Sequence, residues 1–348
     1  MKARTSEELE VVTQGKMGLN FSEYSMTVMP LGTNDRVWQE FLSRAANGTL
    51  FHELHFLRYH PQERFRFHHL VLMHQGKPIG LLPGGLVGSE QRPLFCSPLG
   101  ASVGGLAVGP DLRAGTALAM VQALQDYARC QGWAGIEMTL PPSYYSFQTA
   151  GVIEFALFCR GFRLQRRWLC PVLQLEPEPE AFRRTYTARQ ASYVRAARRK
   201  GVRSFETGVE GLEDFVVPFR DTYERHGIPA THTEDEIRDL LIRLPERVRI
   251  HLAMLHGIPI AGLLVFRVTK TVAYTFYICR NSGYSNEHGP AFLIAELMDK
   301  LSTAGFRYLD LGPTASDDSF NDGVTFFKEG LGAVGHCRDR WGWGLASD

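Results

Sequence analysis

The chain has 348 residues, 44% hydrophobic and 22% charged, with a formal net charge of +1. That length exceeds one comfortable core, so two domains are expected, and so even a charge balance excludes a protein that grips DNA by bulk charge. Apolar runs such as residues 263–266 fall far short of the roughly 18 residues a membrane span needs. The six cysteines are scattered without a C-x-x-C pair, which points away from zinc ribbons and redox pairs and toward free thiols in the cytoplasm.

Residues 1–24 carry no apolar signal core and read as a poorly ordered N-terminal segment. Thr33 or Asn34 then caps a predicted helix with Val37, Trp38, Phe41 and Leu42, ending near Gly48. Residues 69–82 read as a β-hairpin around a Gly/Pro turn, and residues 251–264 repeat it. Each hairpin is followed by a helical pattern, over 112–131 and 291–303. Each helix meets a glycine and an aromatic, Gly132-Trp133 and Gly305-Phe306, then a strand and a proline loop, Pro141-Pro142 and Pro313. A last landmark aligns Cys159-Arg160-Gly161-Phe162 with Lys328-Glu329-Gly330-Leu331, and Arg160, just before Gly161, is read as the counterpart of Lys328, so that both halves keep a cation there. The ordered recurrence predicts two related halves, 25–175 and 176–348, joined by a stiff, solvated Pro/Glu linker at residues 175–180.

Just after the linker, eight cations and no acid lie between Arg183 and Arg203, leaving −7 on the rest of the chain. A helix with Phe182, Tyr186, Tyr193 and Ala197 on its apolar stripe is predicted there, stopped by Gly201. Such a stretch on a mildly acidic body points to a specific anionic ligand. The glycine-rich residues 100–109 lack the Lys-Ser/Thr of a phosphate loop and read as backbone turns; Asp317 and Asp318 read as loop solvation. His52/His55 and His68/His69 have no matching Cys/Asp/Glu cluster, so no metal is expected.

Three segments together resemble the Fem family of aminoacyl-tRNA-dependent transferases and its GNAT-like relatives. They are Thr187-x-Arg189-x-x-x-Tyr193 running into residues 195–202, the stretch from Asn286-Glu-His-Gly-Pro-Ala291 to Tyr308-Leu-Asp-Leu-Gly-Pro313, and Phe326-Phe-Lys-Glu-Gly-Leu-Gly332. The long coiled-coil insertion of the staphylococcal members is missing after the basic helix, so the chain looks more like the shorter FemX-like or general Fem-related acyltransferases. The resemblance implies an α/β (α+β) fold of two tandem GNAT-like domains, each a mixed β-sheet flanked by helices, with catalysis in the second. It implies transfer of an aminoacyl or acyl group from an anionic donor, aminoacyl-tRNA by preference or acyl-CoA, to an amine acceptor such as a cell-envelope precursor. No tightly bound cofactor, DNA or stable membrane insertion is implied. The rival readings are an acyl-CoA N-acyltransferase and a binding module that docks anionic ligands without efficient turnover.

Acyl transfer to an amine needs alignment, a donor for the developing oxyanion and a route for the amine proton. It needs no covalent nucleophile, and the G-x-S-x-G match at Gly100-Ala-Ser-Val-Gly104 falls in the glycine-rich stretch that reads as backbone turns. Lys328 is the candidate for oxyanion or donor-phosphate stabilisation, with a surface lysine as the alternative. Arg189 and Tyr193 are assigned by resemblance to the diphosphate of a nucleotide-linked acceptor, with Thr187 a further substrate-binding candidate, and Arg195, Arg198 and Arg199 to an anionic donor; a solvated basic face is the alternative. Asn286 and Gly289 begin the donor loop, whose amides cradle pyrophosphate in CoA-using relatives, but Pro290 removes one amide. His288 is a candidate proton relay or a plain loop histidine, and Asp310 a group orienting the acceptor amine or a structural carboxylate.

Overall fold

The computed structural model describes residues 26–344 except 62, 147–149, 179, 181, 228 and 317–318. The segment before Tyr24 and the pair Asp317 and Asp318 therefore lie outside the described residues. The first half opens with strand Met26–Pro30, then the hairpin Leu70–His74 and Lys77–Leu82, then the short strand Ala107–Val108, antiparallel in that spatial order. The second opens with Arg203–Thr207, Val248–Leu255, Ile258–Arg267 and Val272–Arg280, again antiparallel neighbours in order. The hairpin tips match: Gln75 and Gly76 at φ 48° and 73°, His256 and Gly257 at 50° and 79°. Two left-handed residues in succession are the turn that suits the twist of a two-residue hairpin. Each hairpin also carries a register shift at the same place, Leu72/Met73 and Ala253/Met254. The first half alone inserts strands Gly85–Val87 and Leu94–Ser97.

Helices Ala114–Cys130 and Gly289–Thr303 follow. Both end as the glycines predict: Gly132 and Gly305 sit at φ 68° and 85°. The next amide reaches back into the helix, Trp133 to the Ala128 carbonyl and Phe306 to that of Leu301. The final helices, Ala150–Cys159 and Asp322–Gly330, correct the aligned landmark. Gly161 at φ 80° matches Gly332 at φ 84°, two residues beyond Gly330. Phe162 bonds back to Leu157 as Ala333 bonds back to Lys328. The position equivalent to Lys328 is therefore Leu157, not Arg160, and only the second half places a cation there.

The halves are joined by exchanging their last strands. Tyr308–Asp310, of the second half, pairs with Arg163–Gln174 from the first, while Gly135–Thr139, of the first, pairs with Val334–Trp343 from the second. The two exchanged strands also pair with each other, from Val334 opposite Val172 to Gly342 opposite Arg163, making one continuous sheet. Leu50, Phe51, Phe56 and Leu57 of the first half are buried in one core with Phe215, Ile250, Phe266 and Tyr274 of the second. Burial of such side chains is worth about 1.5–3 kcal/mol each, so the halves stabilise one another.

Several local expectations are refined. Asn34 caps the first helix, Asp35–Leu42, which stops well before Gly48. The basic segment is broken into Phe182–Thr185 and Ala188–Arg199, because Thr187 caps the second piece and donates to the Gly330 carbonyl. The linker is docked rather than free. Glu180 pairs with Arg183 and Arg198, Glu178 pairs with Arg184, and Ser302 donates to the Glu176 carbonyl.

Candidate functional site

Strands Val272–Arg280 and Tyr308–Asp310 run parallel for only three pairs, Val272–Tyr308 to Tyr274–Asp310. The first then continues to Arg280, while the chain beyond Asp310 turns away at Gly312, φ 75°. A side chain on Gly312 would touch the Tyr274 ring. The parting strands open a cavity of about 660 Å³, walled by Tyr223, Tyr274, Phe276, Tyr277 and Phe327, with Lys328 on one side and Arg225, His226 and Arg280 around it. A concave pocket lined by aromatic side chains and convergent polar groups is a usual form of a small-molecule site.

Lys328 is placed in this cleft by the helix Asp322–Gly330, capped by Asn321. Only 5% of it is exposed. Its Nζ donates to the carbonyls of Leu311, Gly312 and Pro313 at 2.5, 3.0 and 3.5 Å, so the ammonium rivets the turn that shapes the cleft. Burial depresses its pKa to about 8, opposed by the nearby Asp310 charge. The ammonium is thus buried, polarising and close to deprotonation near neutral pH.

Asp310 is 1% exposed and has both oxygens occupied. Tyr144 and Tyr145 donate to Oδ2 at 2.7 and 3.0 Å, and the Gly312 amide donates to Oδ1 at 2.8 Å. It is not among the residues lining the cleft, and its carboxylate ties a first-half loop to a second-half strand. The tyrosine pair follows Pro141-Pro142, a loop the sequence marks only as a turn. A second missed network is centred on His232. Its Nδ1 lies 2.8 Å from the Tyr277 hydroxyl and its Nε2 2.7 Å from the Tyr59 hydroxyl, both within hydrogen-bond distance. Burial pushes His232 down to about 4, so it is neutral at pH 7 and fixes Tyr277 in the cleft wall.

The basic helix lies elsewhere. It packs on Gly289–Thr303 through Ala191, Val194 and Ala197, and none of its residues lines the cleft. Arg189 is exposed; its Nε donates to the Tyr193 hydroxyl at 2.6 Å, and its guanidinium lies 5.6 Å from the Tyr193 ring centroid. Tyr193 stacks on His288, centroids 3.8 Å apart. Lys200 pairs with Glu287 at 2.7 Å and donates to the Asn286 carbonyl. Arg198 is held by Glu180 and Glu296, both at 2.7 Å, whereas Arg195 and Arg199 are exposed. Gly289 is required by close packing, since a Cβ there would lie 2.7 Å from that of Ala261. The structure thus gathers Tyr193, Asn286, His288 and Gly289 around the 286–290 loop and leaves Lys328 in the cleft.

Residues 181–328 match the acetyltransferase (GNAT) domain family. Along 90% of its length the chain also follows the crystal structure of FemX, with a TM-score of 0.70 at 14% identity and 96% of that chain covered. The chain is a tandem GNAT-fold transferase. The C-terminal domain of a putative lysylphosphatidylglycerol synthetase from Agrobacterium fabrum shares this fold, with a TM-score of 0.56, 12% identity and 89% and 92% coverage of this chain and that one. So does a tandem GNAT protein from the clavulanic acid biosynthesis pathway, at 0.50, 12%, and 94% and 100%. No curated protein matches the sequence. Among the described residues, this transferase has no helix long and apolar enough to cross a membrane and no cluster of three metal-binding side chains.

Proposed function

We propose that this transferase moves an aminoacyl group from an RNA-linked ester to an amine, in the cleft beside Lys328. The amine nitrogen attacks the ester carbonyl; the C–N bond forms, the ribose C–O bond breaks, and the amine's proton leaves with the departing hydroxyl. Lys328 supplies positive charge in a low-dielectric wall, where stabilisation of an oxyanion is strongest. The observation that carries the choice of donor is the state of the 286–290 loop. Pro290 offers no amide, the His288 ring is covered by Tyr193, and the Glu287 carboxylate stands beside the helix start. A missing amide weakens a pyrophosphate cradle, and Lys200, which could add charge to one, is taken by Glu287; both favour a donor that does not rely on it.

The GNAT domain match favours a second reading, acyl-CoA as donor. The acceptor we infer is an amine-bearing precursor of the cell envelope, an inference supported by the lysylphosphatidylglycerol synthetase that shares the fold, and the reaction is assigned to the cytoplasm, where both donors are made. Purified protein incubated with charged tRNA or acetyl-CoA and a panel of amines distinguishes the readings. Amine-dependent loss of the tRNA ester is expected; release of CoA thiol with no loss of tRNA ester would transfer the assignment to the second reading.

A further inference from the structure

The exchanged strands meet in register, with Cys170 opposite His336, Trp168 opposite Arg338 and Arg166 opposite Arg340. Side chains alternate along a strand, so these six share one face. The guanidiniums of Arg340, Arg338 and Arg166 lie 5.2, 5.4 and 5.8 Å from the Trp168 ring centroid. Arg340 donates to the Thr139 hydroxyl at 3.1 Å and approaches Glu137 at 3.7 Å.

Arg338 is different. It is 8% exposed, its Nε is buried without a hydrogen-bond partner, and no described carboxylate pairs with it. The inward-reaching Arg198 and Arg247, by contrast, are paired with Glu180, Glu296 and Glu53. The carboxylate whose charge reaches Arg338 is Asp310, whose oxygens are already taken by Tyr144, Tyr145 and Gly312. A buried guanidinium has five donors to satisfy and a desolvation penalty to offset. A fold that keeps one there without a partner has a place for an anion.

We propose that Arg338, with Arg340 and Trp168 beside it, forms a second ligand site that takes a phosphate or diphosphate group. The planar guanidinium matches phosphate oxygens two at a time, and the indole holds the cations by their faces. The buried Tyr274, a near neighbour of Arg338, lines the cleft beside Lys328, so a ligand held here is close to that cleft. The source is a nucleoside diphosphate or an RNA backbone. The site does not rest on the proposed transfer, because binding needs neither donor nor turnover.

Titration calorimetry of the full chain with inorganic pyrophosphate at low salt tests it. Wild type is expected to bind, and Arg338→Met to bind roughly 10- to 100-fold more weakly, as loss of charge-assisted hydrogen bonds dictates. Without ligand, Arg338→Met should melt at or above wild type, since an unpaired buried charge is removed. No binding by wild type, or a variant that melts well below wild type yet binds pyrophosphate unchanged, would overturn the site. If Arg338→Met does not fold, Arg340→Gln and Trp168→Leu carry the same readout, and unchanged binding in both refutes it. Tighter binding of UDP than of a CCA trinucleotide assigns the site to a nucleoside diphosphate; the reverse order assigns it to RNA.

Discussion

Lys328 offers the sharpest test of the chemistry, because its depressed pKa gives the sign of a pH effect. A free lysine titrates at 10.5, and burial brings Lys328 to about 8. Each pKa unit is 1.36 kcal/mol, so the cleft disfavours the proton by roughly 3 kcal/mol. Between pH 8 and 10.5 the unfolded chain holds this proton and the folded chain does not, so Lys328's contribution to stability rises with pH across that window. If the ammonium stabilises the oxyanion, kcat falls about tenfold per pH unit above pH 8. If the neutral amine acts as a base, kcat rises through pH 8 instead. The acceptor's own amine adds a rising limb, so the decisive comparison is Lys328→Arg, whose charge persists: the limb at pH 8 should vanish. Lys328→Met should cost on the order of 100-fold in kcat and less in donor KM. Steady-state kinetics with both substrates varied, from pH 6 to about 10, measure all three proteins. Full kcat in Lys328→Met, or an unmoved limb in Lys328→Arg, would refute the reasoning and leave Lys328 a rivet for residues 311–313.

Tyr144→Phe and Tyr145→Phe each remove a donor from the buried Asp310 carboxylate and should each cost about 1–3 kcal/mol of stability, read as a lower denaturant midpoint. Unchanged midpoints would show that Asp310 does not anchor the halves. Arg195→Gln and Arg199→Gln should each flatten the dependence of log affinity for tRNA on log salt by roughly 0.7–0.9, whereas Arg198→Gln should leave it unchanged because two carboxylates already neutralise it. Equal effects at all three positions would place the RNA contact differently. Burial holds His52, His69, His232 and His251 near 4, against 6.5 for a free histidine. Unfolding therefore takes up protons as pH falls from 6.5 toward 4, and stability should drop steeply through that window. His232→Gln should make the drop shallower in chemical melts taken at each pH.

What the sequence revealed depended on whether a local rule governed the feature. Hairpin tips, helix stops and the N-cap at Asn34 follow from the residues that occupy them, so two similar halves could be read from spacing alone, whereas the cap at Thr187 breaks the single helix the pattern predicts. The register of the last landmark could not. Gly330 and Gly332 look alike in sequence, and only the left-handed backbone at Gly332 shows which ends the helix. That difference removes the cation from the first half and leaves Lys328 as the one on which the proposed chemistry rests. Strand exchange was invisible for a deeper reason. Residues 163–174 and 334–343 each alternate as strands must, and nothing local says which neighbour completes which sheet. Yet exchange creates what no single half has: Tyr144 and Tyr145 on Asp310, and Arg338 opposite Trp168. The basic helix is the reverse case. Its charge dominates the sequence, but Arg198 is spent on Glu180 and Glu296 and Lys200 on Glu287. Charge density along a chain reports how many cations are present; only the fold decides which remain unpaired. Arg338, buried in the last strand far from the run that draws the eye, has no described carboxylate paired with it.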